Sequence, residues 1–585
     1  MTASVKLAEY LFARLRQLGV RSVYGVPGDY NLTLLDYVEP AGLHWAGNCN
    51  ELNAGYAADG YSRIKGLGAL ITTFGVGELS AINAIAGAFV EKAPVVHIVG
   101  TPERPAQESR LLVHHTLNDG EYQHFAQMHL NITAAHTNLT DPRISAAQID
   151  WVLEQCLRHS RPVYIQIPAD MVDIPIPSAN LNSIITTPSL GRPNIEKLAM
   201  SYVLDRIYTC KRPMILVDGE TRAFDIVGEV NNIVKAIQWP TWTTVFGKGL
   251  VDETLPNVHG IYLGRFANEE VKRFVRSCDL VLCFGPHNSS TNTSHFSSIP
   301  DHAVTISFTA TAVKAGTNTF RDQPAKYFLT KLLENIDYSK ITARIPDDEL
   351  EALREDEEPA TWLSESDPVN HRHIWRRISK FLLPGDIILA ETGTAGHGSR
   401  EFSLPQHTRY FSPVTWLSIG YMLPAALGAA MAQRELVHED KWNSIDQPRV
   451  LLFIGDGSLQ MTVQAISDMI REKLNIIIFV INNDGYTIER CIHGRNQKYN
   501  DIPSWRYLLA PAFFGAEEQG EYAVRTYSVK TWGDLEHVLE DEDMKKGKVL
   551  RMVEIFMERE DAPATLLTLM DRQLEEERRN KAAGV

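Results

Sequence analysis

The stretch Arg449–Gly485, RVLLFIGDGSLQMTVQAISDMIREKLNIIIFVINNDG, decides the fold. Its apolar run VLLFI ends at Gly455-Asp456-Gly457-Ser458, and beyond it Val463, Ile466, Met469 and Ile470 fall at helical spacing. GDGS is therefore read as the turn from a buried strand into a helix. A second apolar run, IIIFVI, closes in Asn482-Asn483-Asp484-Gly485. A strand, a crossover helix and a strand return the chain parallel. Both loops then leave the sheet at its carboxyl edge, where α/β proteins bind ligands, and Asp456 and Asn483 meet. A carboxylate, an amide oxygen and a backbone carbonyl, that of Gly485, are hard oxygen ligands suited to Mg²⁺, which commonly keeps waters and bridges phosphates. Gly457 and Ser458, at the helix N-terminus, offer N–H and hydroxyl donors to the same phosphates. A lone GDG turn is common at strand ends; GDGS with a helix-length crossover and NN is far more specific.

The alternation extends in both directions. SVYGV precedes NLTLLDYV, ALITTF precedes SAINAIAGAFV, and VVHIVG follows Pro94; PMILVDG, DLVLCFG and AVTISF mark a middle block, and GDIILAETGT opens a third. The pattern predicts an α/β protein of three doubly wound parallel-sheet domains, at 1–185, 186–365 and 366–585. A Pro-interrupted stretch, IPIPSANLNSIITTPSLGRP, is expected to link the first two, and the acidic IPDDELEALREDEEPATWLSESDP to be a solvated linker before the third. Residues 434–449, RELVHEDKWNSIDQPR, read as a polar surface loop with no catalytic part.

A chain of 585 residues exceeds one core. Its 57 basic and 72 acidic residues leave a net charge of −15, which disfavours nucleic acid or an anionic membrane as partner. A small anion is still compatible where a cation or a helix N-terminus supplies local positive field. The cysteines at 49, 156, 210, 278, 283 and 491 form no C-x-x-C pair and read as reduced, mostly buried thiols. No continuous apolar segment marks a signal peptide or a membrane span, so the expected location is cytoplasmic.

With GDGS and NN in place, the sequence resembles the thiamine diphosphate enzymes, and nearly the whole chain follows the pattern of their fungal 2-oxo acid decarboxylases. The matching segments are GVPGDYNLTLLDYV, NELNAGYAADGYSRIKG, TTFGVGELSAINAIAG, LLVHHTL, RPVYIQIPADMVD, AETGT, IGDGSLQMTVQAISDMI and INNDGYTIER. The resemblance implies thiamine diphosphate and Mg²⁺ as cofactors, a pyrimidine-binding first domain, a central domain and a diphosphate-binding third domain. It implies non-oxidative decarboxylation of a 2-oxo acid, pyruvate to acetaldehyde first, through an ylid and an enamine. Glu51 would hydrogen-bond the pyrimidine and drive formation of the cofactor's own base. Ile419 would wedge the cofactor into its bent shape, beside Leu417 and Ser418. Thr392, Thr394, Asp456, Gly457, Ser458, Asn483, Gly485, Tyr486 and Ile488 complete the cofactor contacts, with Asp456, Asn483 and Gly485 on the metal. Asp29, His114, His115 and Glu489 would handle protons; Asp29, His115, Gly396, Ile488 and Glu489 would face the substrate. The family further implies a homodimer with sites between subunits, usually paired into a homotetramer.

Taken singly, several of these residues have plainer readings: Glu51 as a first-turn acid on a helix dipole, Asp29 as an Asx-turn residue, Ile419 as core. Their joint occurrence overrides those readings. Two departures stand out. Relatives activated by substrate carry a cysteine where this chain reads Asp218-Gly219-Glu220-Thr221-Arg222, and they place a larger aromatic at His397. Gly396 is expected to leave room for a longer or aromatic 2-oxo acid, such as phenylpyruvate or indolepyruvate, while Ile488 keeps the opposite side bulky. Rival classes are a carboligase of the acetolactate synthase type, which lacks the His pair; a dinucleotide oxidoreductase, for which no G-x-G-x-x-G follows PMILV or DLVLCF; and a non-enzymatic filament, in which the site would be free to decay.

Overall fold

The computed structural model describes residues 4–187, 191–353 and 363–583. Three sheets carry the architecture. The first comprises β1 (Ser22–Gly25), β2 (His44–Trp45), β3 (Gly68–Thr73), β4 (Val95–Thr101), β5 (His136–Asn138) and β6 (Val163–Pro168), in spatial order β2-β1-β3-β4-β6-β5 with parallel pairings throughout. The middle sheet holds β7 (Pro213–Val217), β8 (Thr241–Thr243), β9 (Val258–Ile261), β10 (Leu280–Phe284), β11 (Thr305–Phe308), β12 (Ala312–Ala315) and β13 (Asn318–Arg321), ordered β9-β8-β7-β10-β11-β12-β13. The third holds β14 (Ile387–Ala390), β15 (Arg409–Phe411), β16 (Val450–Gly455), β17 (Ile476–Asn482), β18 (Arg525–Val529) and β19 (Arg551–Phe556), ordered β15-β14-β16-β17-β19-β18. First and third sheets therefore share one topology, strand for strand.

In both, the chain winds one way from the first strand to the second, then crosses back to start the third strand on the other side. That reversal opens a crevice at the carboxyl ends of β1 and β3, and of β14 and β16. The strands are continuous apolar runs because both faces are covered. Alternate residues of β16 join different cores: Val450, Leu452 and Ile454 one, Leu451 and Phe453 the other.

The core of the first domain is continuous with that of the third. It is joined where α1 (Glu51–Lys65) crosses α3 (Met422–His438); α2 (Val76–Val90) lies beside α1. A Cβ on Gly428 would fall 1.9 Å from the Ala57 carbonyl oxygen and one on Gly60 2.2 Å from that of Ala425, so two glycines let the backbones touch. The middle domain keeps cores of its own.

Several expectations need correction. The middle sheet is not wholly parallel: β12 pairs antiparallel with β11 and with β13. The helix after GDGS starts at Asp456 itself and is broken, into α4 (Asp456–Thr462) and Ala465–Arg471. NLTLLDYV yields one helical turn, Leu32–Leu35. Within the first supposed linker, Pro175–Pro177 is a strand, paired with Ser4–Lys6. The acidic stretch begins as a helix, Asp347–Ala352, and Ile345 and Leu353 are buried in a middle-domain core; its residues 354–362 lie outside the described ones.

Residues 434–449 are not a plain surface loop. Glu435 accepts from Ser22, Tyr61 and Lys65, the indole of Trp442 donates to the Gly385 carbonyl, and buried Arg449 pairs with Asp386 at 2.6 Å. These anchors need partners far away in the chain, which local composition does not display. The cysteines are all free, with five buried and Cys49 exposed. Among the described residues no helix is long and apolar enough to cross a membrane.

Candidate active site

The third domain's crevice gathers the loops after β14, β16 and β17. Asp456, 1% exposed, opens α4; one of its oxygens accepts from Gly457 N–H at 2.8 Å and the other from Gly485 N–H at 3.0 Å. The two loops read from sequence thus meet directly. No Lys or Arg pairs with this carboxylate among the described residues, and burial pushes it up to about 6. A buried, cationless carboxylate at a helix N-terminus is a cation site in waiting. Asn483 is buried beside it, and the Gly485 carbonyl takes one bond, from Thr487 N–H. Gly485 has φ +126°, and a Cβ there would meet the Asn500 carbonyl at 2.4 Å, so this turn requires glycine. A Cβ on Gly457 would strike the Tyr486 ring at 2.4 Å, which places Tyr486 as the wall of the GDGS turn; Ser458 is buried next to it.

Thr392 and Thr394 lie in the loop after β14, and the buried Thr392 hydroxyl has no protein partner. Glu391, which sequence reasoning passed over although it stands within AETGT, proves to be a clamp. It is fully buried, accepts from Thr392 N–H and Met422 N–H at 2.8 Å each, and is pushed up to about 7 by burial. It thereby ties this loop to the start of α3, next to Leu417-Ser418-Ile419. Leu417 has φ +56°, a costly conformation for a branched residue that a ligand-facing loop sustains. Ile419 is half-buried. The Ser418 hydroxyl is engaged elsewhere: it lies 2.7 Å from Tyr56 Oη and accepts from Asn83 at 3.0 Å, so any part it takes in binding falls to its backbone.

Ile488 and Glu489 belong to α5 (Thr487–Ile492), which packs under α6 (Ala564–Ala583). Ile488 reaches within 3.9 Å of the space above Gly393. Glu489 is exposed. Gly396 corrects an expectation: a Cβ there would fall 2.7 Å from the Glu391 carbonyl oxygen and 3.2 Å from Ser412, so its small size serves packing of the Thr394–Gly398 turn and opens no space. His397 faces Thr565 of α6 at 3.1 Å, and burial holds its imidazole neutral.

The first domain's crevice holds the other group. Asp29 follows β1; its carboxylate lies 2.5 Å from His114 Nε2 and 4.0 Å from His115 Nε2. The Tyr30 ring stacks on His114 at 4.9 Å between centroids. His115 takes φ +65°. Glu51 occupies the first turn of α1, which Asn50 caps through Asn53 N–H. Its carboxyl is half-buried over Gly77, where a Cβ would come within 3.1 Å of it, and has no side-chain partner; burial raises it above the usual carboxylate range. The Thr73 hydroxyl nearby is also buried without a partner.

Within one chain no hydrogen bond or ion pair joins Asp29, Glu51, His114 or His115 to the Asp456, Asn483 and Glu489 loops, among the described residues. Within the Asp218–Arg222 stretch, Glu220 lies 3.2 Å from His287, whose other nitrogen is 2.8 Å from Thr415 Oγ1.

The donor chemistry fits thiamine diphosphate and its metal. Among the described residues two buried threonine hydroxyls lack partners, one carboxylate lacks a cation, another lacks a side-chain partner, and each stands at a switch-point crevice. Comparison with known proteins agrees. Residues 5–134 match "Thiamine pyrophosphate enzyme, N-terminal TPP binding domain", 200–336 its central domain, and 391–539 its C-terminal TPP binding domain. Pyruvate decarboxylase of Aspergillus parasiticus is 56% identical over 573 residues, 98% of each chain; that of Aspergillus fumigatus is 44% identical over 564 residues, 96% of each. The thiamine diphosphate-dependent 4-hydroxybenzoylformate decarboxylase of Rhodococcus jostii superposes with TM-score 0.73 over 95% of this chain and 99% of its own, at 17% identity, a likeness of fold. Three domain matches in register and a topology repeated at both ends of the chain place it in the family of thiamine pyrophosphate enzymes.

Proposed function

We propose that the protein is a non-oxidative 2-oxo acid decarboxylase acting first on pyruvate, releasing acetaldehyde and CO₂. The observation that carries this reading is the pair of complementary half-sites, one built around Asp456 and one around Glu51, in a chain 56% identical to a fungal pyruvate decarboxylase. Thiamine diphosphate, once bound, would supply the electron sink that decarboxylation of a 2-oxo acid requires. Asp456, Asn483 and the Gly485 carbonyl would hold Mg²⁺, and the Ser458, Thr392 and Thr394 hydroxyls would hold the diphosphate, while Gly457, whose N–H is given to Asp456, shapes the turn. Glu51, whose carboxyl burial raises above the usual carboxylate range, would face the aminopyrimidine and exchange a proton with it, and Ile419 would shape the pocket there. Asp29, His114, His115 and Glu489 move protons to and from the substrate. Ile488 bounds the acyl side, and with no space opened at Gly396, small acids are favoured over aromatic ones.

With no hydrogen bond or ion pair joining the two half-sites within one chain among the described residues, we infer that the first domain of one copy completes the third domain of another. The working unit is a homodimer, paired into a tetramer, in the cytoplasm, with domain limits near 185 and 365. The test is acetaldehyde formation from pyruvate with and without thiamine diphosphate and Mg²⁺. Glu51→Gln should lose at least ~10²-fold, the lower range for a proton-transfer group; near-wild-type turnover would refute the mechanism. Comparing kcat/KM for pyruvate, 2-oxoisovalerate, phenylpyruvate and indolepyruvate settles the substrate, and a preference above about tenfold (~1.4 kcal/mol) for an aromatic acid overturns pyruvate.

A further inference from the structure

Beneath the His114-His115 pair lies a buried acid that the chemistry above does not use. Glu78, fully buried in the first turn of α2, accepts from Gly75 N–H at 2.9 Å through Oε1 and from the Tyr164 hydroxyl at 2.6 Å through Oε2. Gly75, φ +67°, is the contact between this acid and the His pair: a Cβ on it would fall 2.4 Å from the His115 carbonyl oxygen and 3.3 Å from the His115 Cβ. His115 itself takes a left-handed φ of +65° that a non-glycine residue adopts only when its surroundings hold it. Phe74, Tyr122 and Phe125 form a small core there, with Tyr30 and Val113 packed on it; the Tyr30 and Tyr122 hydroxyls donate to the His114 and Leu111 carbonyls, and the Gly75 turn is the hold that reaches His115 itself.

We propose that Glu78 is a positioning residue for the proton-handling group: its carboxyl pins the Gly75 turn, and the turn pins His115 and with it the His114–Asp29 pair. The proposal rests on the reading that Asp29, His114 and His115 handle protons in the reaction. The groups facing Glu78 are Tyr164 on β6, stacked at 4.8 Å on His129, and His129 itself, whose Nδ1 lies 3.8 Å from Oε2. Behind them His97 on β4 and His136 on β5 are packed at 5.6 and 5.5 Å from the Tyr164 ring. Burial holds all three imidazoles neutral, so the carboxyl has no cationic partner in the cluster. Burial also pushes Glu78 up to about 7, so the strength of its hold changes within the working pH range.

The experiment compares Glu78→Ala, which removes the acceptor, with Glu78→Gln, which keeps an acceptor oxygen for Gly75 N–H and removes the ionisation, both as holoenzyme. Glu78→Ala should lower kcat/KM for pyruvate by about tenfold or more, through kcat, and shift the neutral limb of the pH profile, with thiamine diphosphate affinity unchanged. Glu78→Gln should restore the rate to within about threefold. A folded Glu78→Ala enzyme with the wild-type rate and profile overturns the proposal, as does a Gln variant no better than Ala. Should Glu78→Ala not fold, Gly75→Ala decides, because it pushes on His115 directly; a wild-type rate there overturns the proposal equally. His115→Gln runs alongside: if it is fully active the proton-handling reading has failed, which is distinguishable from a failure at Glu78 alone.

Discussion

At the residue scale the site is a contest between burial and charge. Asp456 is nearly sealed from water, and burial outweighs the backbone N–H groups of Gly457, Gly485 and Asp484 to raise its carboxyl to about 6. A metal binds only the ionised form, so the sign follows: Mg²⁺ affinity is full above that value and falls as pH drops through it. Titration at pH 5 should give a Kd about tenfold weaker than at pH 7, one unit of protonation, and a pH-independent Kd would contradict the assignment. Gly457→Ala tests the same turn by shape. Its new methyl would strike the Tyr486 ring, so the variant should fold while its cofactor affinity falls by ~5- to 150-fold, as a 1–3 kcal/mol overpacking strain implies. These residues were readable from sequence because local spacing displays them: strand, GDGS, helix, strand, NN. Glu391 and Glu78 were not, since each matters through what it holds, Met422 N–H and Gly75 N–H, and no spacing rule shows a hold.

At the element scale, continuous apolar runs revealed the parallel strands, and the cap at Asn50 and the left-handed Gly66 bound α1, with Glu51 in its first turn as expected. The short strands β12 and β13 escaped notice because AVKA and NTFR carry neither a long apolar run nor a tight-turn signature. The stretch 434–449 misled for another reason: its polar letters are tertiary anchors. Arg449 and Asp386 are both 1% exposed and bonded at 2.6 Å, with a second donation from Arg449 to the Phe381 carbonyl. Removing one partner leaves the other charge buried, so Arg449→Ala should cost about 3–5 kcal/mol, measured as a shift of the urea midpoint; a loss below ~1 kcal/mol, the level of a surface pair, would return the segment to the surface-loop reading.

At the scale of the whole molecule, one topology used twice poses a geometric question. Each copy of the fold opens a crevice at its switch point, the first carrying Glu51 and the His pair, the third carrying Asp456 and Asn483. Yet, among the described residues, α1 and α3 lock the two domains of one chain together with no hydrogen bond or ion pair between the Glu51 and His-pair group and the Asp456, Asn483 and Glu489 loops. The proposed homodimer would resolve this, because an isologous interface can set the first domain of each copy against the third of the other. Subunit complementation checks it. Co-expressed Glu51→Gln and Asp456→Ala chains, each inactive alone, form mixed dimers in which one site carries both lesions and the other neither. Random pairing makes half the dimers mixed, so about a quarter of the wild-type activity should return. If each site were completed within a single chain, every site would keep one lesion and the mixture would stay inactive.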